Sequence, residues 1–98
     1  RFDAVLCPTI AHLPPEHGIY DMRNEDVSAY LSAIFRFAPY TAPASIAGQP
    51  AMNVPCGMSS TGLPIGAHFS APFAREDVLY ALAGQLERAH PWPRTAAR

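Results

Sequence analysis

The sequence contains no lysine. That absence excludes any Ser–Lys or Schiff-base scheme completed within these residues. Cysteine is scarce: Cys7 and Cys56 are the two thiols, and no Cys-x-x-Cys spacing occurs. They make no disulfide framework. His12 and His17 are separated by Pro14 and Pro15, and no Cys/His set has ligand spacing, so no metal and no cofactor is expected. Carboxylates pair only where helices are expected to start, where capping explains them. Seven basic residues against eight acidic ones give a net charge of −1, without a basic stripe. Nucleic acid is therefore not an expected partner. No apolar run approaches the ~20 residues a membrane span needs. With no secretory leader legible, the expectation is a cytoplasmic protein with no membrane partner.

What is present suits a folded chain. Apolar residues make up 49% of the 98 positions and charged residues 15%, the composition of a single small globular unit. A domain of this length buries only about 60–65% of the surface its unfolded chain exposes, so its core is thin. Phe2, Ala4, Val5, Leu6 and Cys7 form an apolar run stopped by Pro8. Such a run predicts a strand buried on both faces of a parallel or mixed sheet, with further structure preceding it. The stretch 11–23, AHLPPEHGIYDMR, reads as a long connection. Val27, Tyr30, Leu31, Ile34, Phe35 and Ala38 then recur at helical spacing. They predict a core-facing helix from Glu25 to Phe37, with Asn24 as N-cap, Glu25 and Asp26 at the positive end of the dipole, and Pro39 as the stop.

Pro43 to Ala47 reads as one helical turn closed by Gly48. Ala51 to Val54 reads as a short strand flanked by Pro50 and Pro55. Along GLPIGAHFSA, residues Leu63, Ile65, Ala67, Phe69 and Ala71 share one face. Pro64, Gly66, His68 and Ser70 share the other, a small face that another backbone or helix must approach closely. Glu76 and Asp77 open a final helix whose stripe is Val78, Leu79, Leu82, Ala83, Leu86 and Ala89, and Pro91 stops it. Trp92 is expected to pack back, and RTAAR to fray. The order strand, loop, helix, turn, hairpin, helix is that of an α/β (α+β) fragment of a mixed sheet.

The hairpin offers three candidate nucleophiles, Cys56, Ser59 and Ser60. If Gly57 and Gly62 close its turn, Val54 faces Ile65, Ala51 faces His68 and Cys56 faces Leu63. Cys56 then sits about five residues from His68, at roughly 3.3 Å each, too far for a thiol–imidazole pair. Cys56 reads as a small buried residue. Ser59 and Ser60 sit at a turn tip with Thr61 and Gly62, which is ordinary turn chemistry. No complete catalytic constellation is legible, so no catalytic residue is assigned in this chain.

The stretch from Tyr40 to Trp92 resembles the C-terminal end of the amidase-signature family. Tyr40, Thr41, Pro43, Gly48, Pro50 and Ala51 match its F/Y-T-x-P-x-N-x-x-G-x-P-A pattern. Pro55, Gly57, Gly62, Leu63, Pro64, Ile65 and Gly66 match its P-x-G and G-L-P-I/V-G segments, and Leu86, Glu87, Pro91 and Trp92 its closing helix. Asp3, Pro8 and Thr9 match an upstream D-x-x-x-x-P-T. The chain departs from the pattern at Ser45, where the family has Asn, and at His68, where it has Gln. Within the family the likeness is to bacterial amidases.

The resemblance implies amide hydrolysis by a serine, a second serine and a lysine that all lie upstream. Residues 1–98 would be the C-terminal portion of an amidase domain, inactive alone, whose partner is the missing N-terminal catalytic portion. They would supply sheet scaffold and, through Thr9, Ile10, Thr41, Ala44 and Ser45, part of the substrate-pocket wall. Freed of that partner, the chain is expected to form a homo-oligomer. The competing readings are a non-catalytic association module or remnant derived from an amidase, and a small thiol hydrolase.

Overall fold

The computed structural model describes residues 2–23 and 25–93. The expected N-cap Asn24 and the tail 94–98 lie outside the described residues. Three strands, β1 (Val5–Pro8), β2 (Ala51–Met58) and β3 (Pro64–Ser70), form one sheet in the order β1-β3-β2. Both pairings are antiparallel. Three helices, α1 (Val27–Phe37), α2 (Ala42–Ala47) and α3 (Glu76–Ala89), complete a mixed α/β architecture in the expected order.

The alternation along β3 decides the faces. Leu6, Val54, Ala67 and Phe69 lie on one side, where α3 packs against β2 with Leu79 buried. Cys7, Asn53, Gly66 and His68 lie on the other. Among the described residues the buried apolar side chains are Ala44, Val54, Ala71 and Leu79, and the buried polar one is His68. The accessible surface is 7756 Å², against about 5,500 Å² for a compact monomer of this mass. The radius of gyration is 15.7 Å, against about 13 Å for a compact chain of this length.

Several expectations are corrected. β1 is an antiparallel edge strand, and it is not buried on both faces: Val5 is 59% and Leu6 63% exposed. Among the described residues these two side chains stay uncovered, while Ala4 and Cys7 of the same run are half-buried. β2 runs on through Pro55 to Met58 instead of stopping at Val54. It too is an edge strand, so the proline's missing N–H costs no ladder bond. The hairpin register moves by two residues: Val54 pairs with Ala67, and Asn53, not Ala51, with His68. The cause is a turn set three residues further along β3, of which a bulge between Pro55 and Gly57 takes back one. The turn is closed by Ser59 N–H donating to the Leu63 carbonyl at 2.8 Å and Leu63 N–H donating to Ser59 Oγ at 3.0 Å. Cys56, at the bulge, is exposed and not buried.

Helix α1 begins at Val27, not Glu25, because Asp26 caps it: the Asp26 carboxylate accepts from Ala29 N–H at 2.9 Å. Its apolar stripe is only half used. Tyr30, Ile34 and Ala38 are half-buried, while Val27, Leu31 and Phe35 are exposed. Phe37 anchors the helix, with its ring 5.0 Å from that of His12 and 5.4 Å from that of Tyr20. Helix α2 ends as expected, on Gly48 in the left-handed region at φ 66°. The α3 stripe is covered along Val78, Leu79, Leu82, Ala83 and Leu86, while Ala89 is exposed. At its start, Arg75 Nε donates to Asp77 at 2.8 Å and holds that carboxyl below its ordinary value.

Candidate functional site

The polar face of the sheet carries the chemistry-bearing side chains that the topology brings together. β3 is central, so His68 has a cross-strand neighbour on each side: Cys7 on β1 and Asn53 on β2. Cys7 Sγ lies 3.4 Å from His68 Nδ1, within reach of a sulfur hydrogen bond. His68 is 6% exposed and Cys7 half-buried. One rung along, Thr9 N–H donates to the Gly66 carbonyl at 3.4 Å. The Thr9 hydroxyl donates to Asn53 Oδ1, crossing over the central strand. A Cβ on Gly66 would lie 2.5 Å from Asn53 Oδ1 and 2.7 Å from Thr9 Oγ1. The small face of β3 therefore accommodates two side chains from its flanking strands, not another backbone or helix.

The expected pocket residues fall into two groups. Thr9 and Ile10 are half-buried at the exit of β1. Ala11 N–H then donates to the Phe37 carbonyl at 2.9 Å, which ties this exit to the end of α1. Thr41 is the N-cap of α2, Ala44 is buried, and Ser45 is exposed on that helix. Thr9 is thus joined to Asn53, which sequence reasoning missed, as it did Cys7. The signal for Asn53 was a lone polar side chain inside an apolar strand. Neither of two surface concavities is lined by the expected set. One, of about 160 Å³, is bordered by Val5, Gln49 and Ser70. The other, of about 310 Å³, lies between the apolar sheet face and α3 and is lined by Leu6, Phe69, Leu86 and the half-buried Trp92.

The chemistry within reach is limited. Cys7 and His68 make a thiol–imidazole contact, but a nucleophile also needs an orienting group for its base and an oxyanion hole. Ser59 Oγ is engaged in the turn, 2.9 Å from Thr61 Oγ1. Among the described residues, no three His, Cys, Asp or Glu side chains group as metal ligands. No helix of the described residues is long and apolar enough to cross a membrane.

Residues 1–79 match the Amidase family. The chain belongs to that family. It is 38% identical over 96 residues to the 6-aminohexanoate-cyclic-dimer hydrolase of Paenarthrobacter ureafaciens, covering 93% of this chain and 20% of that protein. It is 32% identical to the putative amidase AmiC of Mycobacterium leprae, covering 95% of this chain and 19% of that one. A solved structure of 6-aminohexanoate cyclic dimer hydrolase superposes with a TM-score of 0.83 at 38% identity, over 93% of this chain and 20% of that one. The same hydrolase in complex with its substrate gives 0.79. This amidase-family chain spans about a fifth of the length of the curated relatives it matches. The bare edges of β1 and β2 and the exposed row of α1 are surfaces on which such a larger fold could continue.

Proposed function

We propose that the chain acts as the C-terminal segment of an amidase that hydrolyses carbon–nitrogen bonds of linear or cyclic amides. It contributes three strands of sheet and part of the substrate-pocket wall, through Thr9, Ile10, Thr41, Ala44 and Ser45. The catalytic groups come from the preceding portion of the enzyme, which is the partner of this segment, and the chain alone is inactive. The observation that carries this reading is the superposition with 6-aminohexanoate cyclic dimer hydrolase at a TM-score of 0.83. The absence of lysine from the sequence supports the inactivity. Two free thiols, one of them exposed, accord with a reducing compartment, and we place the protein in the cytoplasm.

Complementation in trans tests the proposal. The remaining four-fifths of the hydrolase, inactive without its matching segment, is mixed or co-expressed with this chain and assayed on amides. Recovered turnover supports the assignment. A stable complex without turnover would reduce the segment to an association module. Turnover by the chain alone, lost on Cys7→Ala or Ser60→Ala, would make it a small hydrolase in its own right.

A further inference from the structure

We infer that Thr9 and Asn53 are a positioning pair: a clasp across the sheet that fixes the backbone at Ile10, where, on the reading proposed above, the pocket wall begins. Thr9 directly follows β1 and Asn53 lies on β2, two strands that do not pair with each other. β1 and β2 flank β3, and the Thr9–Asn53 hydrogen bond bypasses the central strand by passing over Gly66. The clasp depends on that glycine. Any side chain there would meet both partners, at 2.5 and 2.7 Å from its first atom.

β1 needs such help. It has four residues, lies at an edge, and exposes most of Val5 and Leu6, so little apolar burial holds it. Its exit is tied at three points: Thr9 N–H to the Gly66 carbonyl, the Thr9 hydroxyl to Asn53, and Ala11 N–H to the Phe37 carbonyl. Ile10 lies between these ties. The first is a long bond of 3.4 Å, at the weak end of the hydrogen-bond range. The side-chain clasp is thus the tie that the sequence adds to the backbone ladder. Both clasp partners are accessible enough that their loss leaves no buried unpaired group, so substitution changes geometry more than folding.

The experiment uses the whole amidase that carries this segment, with two readouts. Cys7 lies two residues before Thr9, and Cys56, which takes no part in the clasp, serves as internal reference through its own wild-type labelling rate. Alkylation of the two thiols is followed by peptide mass spectrometry. Thr9→Val and Asn53→Ala should each speed Cys7 labelling about fivefold, the factor one net hydrogen bond supplies, with Cys56 unchanged. The double variant should add little to either single one, and Thr9→Ser should restore the wild-type rate. On amides of increasing acyl size, the same variants should raise KM and reorder preference, and Asn53→Ala, which lies outside the pocket wall, should do so with the same ranking as Thr9→Val. Unchanged Cys7 labelling would overturn the clasp. Faster labelling with an unchanged substrate ranking would overturn its positioning role. A wild-type enzyme without amide turnover would contradict the proposed function instead, and Cys7 labelling would still decide the clasp.

Discussion

Cys7 and His68 are 61 residues apart in sequence, yet the thiol sulfur lies 3.4 Å from Nδ1 of the imidazole. The contact fixes the register of β1 on β3, because a slip of one residue would move Cys7 to the opposite face. His68 stands where the family pattern has Gln, and a glutamine amide can also hydrogen-bond a thiol, as donor or as acceptor. His68→Gln should therefore cost under about 1 kcal/mol. His68→Ala removes a buried ring as well as the thiol's partner and should cost about 2–3 kcal/mol. Denaturant unfolding of the amidase carrying each variant checks the order.

Two backbone positions predict opposite signs. Gly48 closes α2 at φ 66°, whereas Ala74, before α3, holds φ 59° with a side chain. The left-handed region costs an ordinary residue about 1–2 kcal/mol, and glycine gives back roughly 0.4–1 kcal/mol through unfolded-state entropy. Gly48→Ala should lower the melting temperature and Ala74→Gly should raise it slightly. Equal shifts of the same sign would contradict the assigned conformations.

Thr41 and Ser45 offer a separate test of the pocket wall. Ser45 is exposed on α2, and Thr41 caps that helix with its backbone and without a side-chain bond. Thr41→Ala and Ser45→Phe should leave the unfolding free energy within about 0.5 kcal/mol of wild type, as surface changes do, while altering the ranking of amide substrates. Steady-state kinetics on an amide panel reads this directly. A preserved ranking in folded enzyme counts against the wall.

The isolated chain should not remain monomeric. Val5 and Leu6 on an edge strand, and Val27, Leu31 and Phe35 in a row on α1, are exposed together. Edges of this kind pair with other strands, and the surplus over a compact monomer, about 2,200 Å² from 7756 Å², exceeds the ~800 Å² that each partner of a standard interface buries. Light scattering after size exclusion, over a concentration series, should show a dimer or larger species. A monodisperse 10.6 kDa monomer with a cooperative melt would show that the chain closes its own core.

The order of elements was legible because each carried local punctuation: Pro43 and Gly48 around α2, Glu76 and Pro91 around α3, alternation along β3. Tertiary relations were not. The apolar run at Val5 predicted burial on both faces, but Val5 and Leu6 stay exposed among the described residues. The hairpin register escaped because the bulge at Cys56 has no sequence mark, and a Ser59-to-Leu63 turn competes with one set by Gly57. The clasp escaped because Thr9 and Asn53 meet only once β3 lies between them. Gly66 hinted at a close approach without naming what approaches.

The most direct test of the account is an exchange. In 6-aminohexanoate-cyclic-dimer hydrolase, the matching fifth of the chain is replaced by residues 1–98 of this sequence, and hydrolysis of the cyclic dimer and of simple amides is measured beside the isolated chain. The account predicts that the folded chimera turns over amides with an altered substrate ranking, and that the isolated chain does nothing above background. A folded chimera without turnover on any amide, or an active isolated chain, would contradict it.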